Sequence, residues 1–236
     1  RLLRMFPRLS AVNLKTWFRK IMEQVFLSKV LLWLPQIYFA VILLFVAWRY
    51  FVKSGFPRYG VLVRGVIWFR LGYAVLLTIG QYYIWSKEVF LRLLLNTPLS
   101  ESLPIPLVQK FPEIFNSKIG YFLFYSWGHF WLNFILTIGI AWLFYRFLLV
   151  LQRWNSRFFD EGEVKLGFVC ALVAGWPGVL VFIALTFAIV ILLAMARAIV
   201  LHEGYTTLGV PLLLAAAIAL WMSSDILSFF NLRLYV

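Results

Sequence analysis

Between Leu166 and Ala196 the chain carries no charged side chain, and that run constrains the fold more than any other feature. Further apolar runs lie at Val30–Trp48, Gly65–Trp85, Ile119–Leu151 and Leu208–Met222. Lipid is the natural solvent for such runs. A helix in lipid satisfies its own backbone hydrogen bonds, whereas an open strand leaves them unpaired. The strands of a membrane barrel alternate polar and apolar residues, and these runs do not. Composition agrees: 64% of the 236 residues are hydrophobic and 13% are charged, against about half and a quarter in soluble domains. A core of this size cannot hide that much apolar surface. The expected fold class is therefore all-α: a polytopic integral membrane helical bundle of five to six membrane segments. Its expected location is a bacterial plasma membrane or a mitochondrial inner membrane.

Residues 1–29 form a separate unit in this reading, ahead of a transmembrane helical domain over 30–236. They hold Arg1, Arg4, Arg8, Lys15, Arg19, Lys20 and Lys29 against the single acid Glu23. Leu14, Trp17, Phe18, Ile21, Met22 and Val25 recur at helical spacing, with Lys15, Arg19, Lys20, Glu23 and Gln24 opposite them. This predicts an amphipathic helix lying in the membrane interface, with Lys15, Trp17, Arg19 and Lys20 as its interfacial contacts. A helix packed on a partner protein is the alternative. The net charge of +13 is read the same way. The cations flank apolar runs, so their partners are anionic lipid headgroups and not nucleic acid. Because the first residue is Arg1 and not Met, upstream residues are expected, and the sequence leaves targeting and redox compartment open.

The spans carry marked irregularities. Pro35 stands near the start of the first, and Arg70 interrupts the second, where snorkelling toward an interface accommodates it. Pro98, Pro104, Pro106 and Pro112 rule out a continuous helix between 86 and 118, which predicts a surface segment with short interfacial pieces. A helix over Ile119–Leu151 is about 50 Å long, against a hydrocarbon core of about 30 Å. It must tilt, protrude or break near Gly128. Gly175-Trp176-Pro177-Gly178 should divide the long uncharged run into two helices.

The chemistry-bearing residues are few. Cys170 is the sole cysteine and His129 and His202 the sole histidines, so no disulfide or cysteine metal site forms within the chain, and no cofactor is expected. Gly162-Glu163-Val164-Lys165-Leu166-Gly167 precedes an apolar run, then Gly175-Trp176-Pro177-Gly178, then another run. Leu208-Gly209-Val210-Pro211-Leu212 opens the last. This order resembles the C-terminal half of the type IV prepilin peptidases, membrane aspartic proteases of the GxGD kind. In that family Gly-Asp-Val-Lys-Leu starts a helix, a Gly-Trp turn ends it, and a Pro-Phe-Gly-Pro-type turn opens the final helix. Upstream, Leu91-Arg92-Leu93-Leu94-Leu95 with Pro98 loosely resembles the family's first motif. The resemblance spans roughly residues 65–220. It implies paired carboxylates, one activating water and the other protonating the leaving group. Glu163 stands where the motif has Asp, Asp160 stands where it has its first Gly, and the first motif lacks its Asp. Glu88 and Glu101 are the nearest acids there.

Three functional classes follow. The first is a noncatalytic subunit of a larger membrane assembly, keeping a prepilin-peptidase-like scaffold beside other membrane subunits. The second is a membrane aspartic peptidase using Glu163 with Glu88 or Glu101. The third is a small transporter or channel element with His129, Asn133 and Arg146 along one helix. Intramembrane ionisable groups are functional suspects, but His129 beside Ser126 and Asn133 also reads as a hydrogen-bonded packing contact. The Asp160–Glu163 cluster likewise reads as a capped, solvated helix start.

Overall fold

The computed structural model describes residues 33–52, 59–99, 105–154, 159, 162–200 and 207–232. The interfacial helix expected over 1–29, with Lys15, Trp17, Arg19 and Lys20, lies outside them, as do Glu101, Asp160 and His202. All regular structure among the described residues is helical. The helices are α1 (Trp33–Val52), α2 (Tyr59–Lys87), α3 (Val89–Leu95), α4 (Pro106–Lys110), α5 (Pro112–Phe115), α6 (Gly120–Ser126), a π-helical turn (Trp127–Trp131), α7 (Leu132–Trp154), α8 (Glu163–Ala174), α9 (Gly178–Val200) and α10 (Gly209–Phe229). Five are long and apolar enough to cross a membrane: α1, α2, the continuous Gly120–Trp154 rod, α9 and α10. The molecule is thus an all-α bundle of the multi-pass membrane type.

The rod Gly120–Trp154 is 35 residues long. It does not break at Gly128. One turn loosens into π geometry there, which keeps the helix intact while shifting the residues that follow. The proline-rich stretch forms the short helices α3, α4 and α5, as four prolines require.

Helix α8 occupies the middle of the bundle. It touches α2, α7, α9 and α10, and nine of its 12 residues are buried. Beyond Glu163 and the exposed Lys165 in its first turn, α8 is apolar on every side and has no face to give to solvent, so it is enclosed by others. At 12 residues it is about 18 Å long, too short for the ~30 Å hydrocarbon core.

Its contacts fix the path of the chain. Thr137 meets Trp176, Tyr145 packs on Phe168 and Leu148 lies against Gly167, so α8 runs antiparallel to α7. Phe144 packs on Phe182 and Phe147 on Phe187, so α9 runs parallel to α7. The chain therefore reverses at Gly175–Gly178, and α8 with α9 forms a tight hairpin. Gly175 has φ 64 and ψ 170, a conformation essentially reserved for glycine. Helix α10 starts beside Glu163 and passes Gly178 at Ala219 and Ser223. It is parallel to α8.

Candidate functional site

Among the described residues, polar groups gather at both ends of α8. The first such place is built on Glu163, the opening residue of α8, which is 1% exposed. Its Oε1 accepts a hydrogen bond from the Tyr50 hydroxyl at 3.0 Å and from the Gly209 amide at 2.7 Å. Its Oε2 accepts one from the Leu208 amide at 3.2 Å. The first amides of a helix lack intrahelical acceptors, and an anion there complements the helix dipole. Glu163 supplies both needs for α10 from another helix. The geometry needs a glycine at 209, because a Cβ there would run into the Tyr50 ring and the Glu163 carboxylate. For Glu163 the expected solvated helix start is corrected: it opens α8, but it is sealed inside and bonded across the bundle; Asp160 and Glu161 lie outside the described residues.

The second place lies at the other end of α8. Arg70, on α2, donates from Nε to the Leu172 carbonyl at 2.8 Å and from Nη2 to the Val173 carbonyl at 3.0 Å. These carbonyls belong to the last turn of α8, which has no intrahelical donors for them. The guanidinium also sits 4.5 Å from the Phe39 ring centroid, a cation–π contact. Arg70 does not snorkel to an interface as its sequence position suggested. It points inward, because the C-terminal end of α8 presents carbonyls and a partial negative charge there.

A cavity of about 430 Å³ opens beside Arg70. Gln36, Arg70, Tyr73, His129, Asn133 and Thr137 provide its polar lining, and Phe69, Leu77, Phe130 and Phe134 contribute apolar walls. The π-helical turn brings His129 and Phe130 to its edge. His129 is exposed; its Nδ1 pairs with the Tyr125 carbonyl at 3.2 Å, and its ring stacks on Tyr125 at 4.1 Å. Asn133 donates to the His129 carbonyl at 2.7 Å. Thr137 accepts from the Trp176 amide at 2.8 Å, tying α7 to the hairpin turn.

The remaining candidates are dispersed. Glu88 is exposed beyond the far end of α2. Tyr59, which begins α2, is buried within electrostatic reach of Glu163. The 29 residues of α2 place those two ends about 40 Å apart. The structure thus does not bring Glu88 and Glu163 together. His129 and Asn133 share the cavity, but Arg146 does not join them. It lies on the outside over the Trp142 ring, about 20 Å along the rod from Asn133. Ser126 hydrogen-bonds Thr78 at 3.1 Å, away from His129. Among the described residues no three His, Cys, Asp or Glu side chains cluster as a metal site needs.

Sequence reasoning did not single out Tyr50 or Thr137. The local signals were Arg70, His129 and Asn133, polar residues within apolar runs. Comparison with family models, with curated proteins and with solved structures finds no match to this chain.

Proposed function

We propose that this chain is a noncatalytic integral membrane subunit of a larger membrane assembly, built on a scaffold like that of the prepilin peptidases, in a bacterial plasma membrane or a mitochondrial inner membrane. The observation that carries this reading is the occupation of Glu163. Both of its carboxylate oxygens are engaged by Tyr50, Leu208 and Gly209. A general base or acid needs an oxygen directed at water or substrate, and this carboxylate is directed at the start of α10. The second carboxylate of an aspartic dyad must stand close to the first, and Glu88 stands at the opposite end of α2.

The likeness in plan draws support from the meeting of residues 162–167 with 208–212 through Glu163. Assembly with other subunits draws support from the lateral surface. Trp68, Val75, Leu76 and Ile79 on α2, and Ile191, Leu192 and Ile199 on α9, are exposed. Lipid covers such faces, and so do neighbouring membrane helices. Anionic headgroups suit the exposed Arg64, Arg153 and Lys165 near the Glu163 end.

Gentle detergent extraction followed by native mass spectrometry tests the reading. A defined complex with other membrane proteins is the expected result. A chain that emerges alone, and cleaves a prepilin-like peptide in a Glu163-dependent way, would overturn it in favour of the peptidase.

A further inference from the structure

We infer that the cavity beside Arg70 binds the acidic headgroup of an amphiphile, a carboxylate or a phosphate, with its apolar chain lying against Phe69, Leu77, Phe130 and Phe134. The first support is charge. Arg70 sits inside a span, and no carboxylate pairs with it among the described residues. Its contacts are the two carbonyls at the end of α8 and the Phe39 ring. Carbonyl dipoles and a ring face offset part of a full positive charge, not all of it. An uncompensated charge at such depth is costly, and an anion in the same cavity removes that cost.

The second support is donor direction. Nε and Nη2 are occupied by Leu172 and Val173. Nη1 has no hydrogen-bond partner among the described residues, yet it is not sealed from solvent. A guanidinium that is packed by protein and still reachable owes its access to the cavity it lines. An acid headgroup fits that remaining edge, since charge-assisted bonds from guanidinium to carboxylate or phosphate are the strong ones.

The third support is shape. About 430 Å³ falls within the ~300–1,000 Å³ of small-molecule sites, which combine mostly apolar walls with a few convergent polar groups. The cavity is met by the π-helical turn that places Phe130 and the exposed His129 at its edge, and such turns recur at functional sites.

The test uses the full chain in neutral detergent micelles, titrated and read by native mass spectrometry. Two matched pairs of probes separate the sources of the headgroup: oleate against oleyl alcohol, and dioleoylphosphatidylglycerol against dioleoylglycerol, which lacks the phosphate. One equivalent of an acidic probe should bind at least about tenfold more tightly than its partner in at least one pair, the scale of one charged hydrogen bond. Selectivity in the first pair identifies a fatty-acid-type ligand, and selectivity in the second a lipid phosphate. Either supports the inference. Leu77→Trp narrows the cavity without touching the Arg70 bonds to α8, and should weaken the selective probe by about tenfold or more. Arg70→Gln should abolish the selectivity. Because that substitution also disturbs α8, Leu77→Trp is the deciding variant, with its fold checked by protection of Cys170 from a maleimide. Equal binding of acidic and neutral probes, or unchanged affinity in a folded Leu77→Trp protein, overturns the inference.

Discussion

Replacing Glu163 by glutamine isolates what its charge and second oxygen contribute. In the Glu163→Gln protein the amide oxygen can keep the place of Oε1, between Tyr50 and Gly209. The amide nitrogen then falls where Oε2 accepted from Leu208, so two donors face each other in a sealed site. One hydrogen bond to a charged group is lost, at about 1.5–3 kcal/mol. The favourable contact with the α10 dipole is lost as well, at about 0.3–1 kcal/mol or more in a buried setting. We expect a loss of roughly 2–4 kcal/mol. Glu163→Ala should cost more, since it leaves both amides and the Tyr50 hydroxyl without their acceptor. Cys170 provides the assay. It is the sole cysteine and fully buried in α8, so a fluorogenic maleimide reacts as the bundle opens on heating. At about 2–4 °C per kcal/mol for chains of this size, Glu163→Gln should lower the midpoint by roughly 5–15 °C. A catalytic carboxylate would behave otherwise, with activity lost and the melting midpoint held. Midpoints within about 2 °C of the parent for both variants would refute the structural role argued here.

Other outcomes follow from the same geometry. Gly209→Ala forces a methyl into the Tyr50 ring and the Glu163 carboxylate; overpacking of this kind costs about 1–3 kcal/mol, and the same maleimide melt should show it. Gly175→Ala adds a Cβ at φ 64, against the Arg70 guanidinium, and should destabilise the hairpin by about 1–3 kcal/mol or more. A second-site change from Arg70 to Ala should not rescue it, because the backbone conformation remains. Glu88→Gln alters an exposed residue beyond the far end of α2; the melting midpoint and any peptide cleavage should stay at parental values, and a loss of cleavage would restore Glu88 as a catalytic partner. Thr137→Val removes the acceptor of the Trp176 amide and should cost about 1–3 kcal/mol, visible as faster hydrogen exchange at the hairpin turn.

Local composition carried much of the architecture. The uncharged runs read as membrane helices because lipid permits little else, and five helices of suitable length and polarity stand there. Prolines between 98 and 112 gave short pieces, and Gly175-Trp176-Pro177-Gly178 gave a break, because both act on the backbone at their own positions. The π-helical turn at Trp127–Trp131 was half legible: the run was too long for a simple span, but its length did not say how the excess would be absorbed.

What a residue does for a distant neighbour was not legible. Glu163 looked like a helix start open to water and became an acceptor for residues 113 positions before it and 46 after it. Arg70 looked like an interfacial anchor and became the cap of a helix 102 positions away. Sequence by itself determined the solvent, the helical class and the breaks, since those follow from hydropathy and backbone stereochemistry within one segment. Only the tertiary structure decided that α8 turns back inside the bundle and that its two ends are served by Glu163 and Arg70. Polar groups shut away from water must take whatever partners the packed neighbours present, and periodicity along one helix holds no record of which neighbours those are.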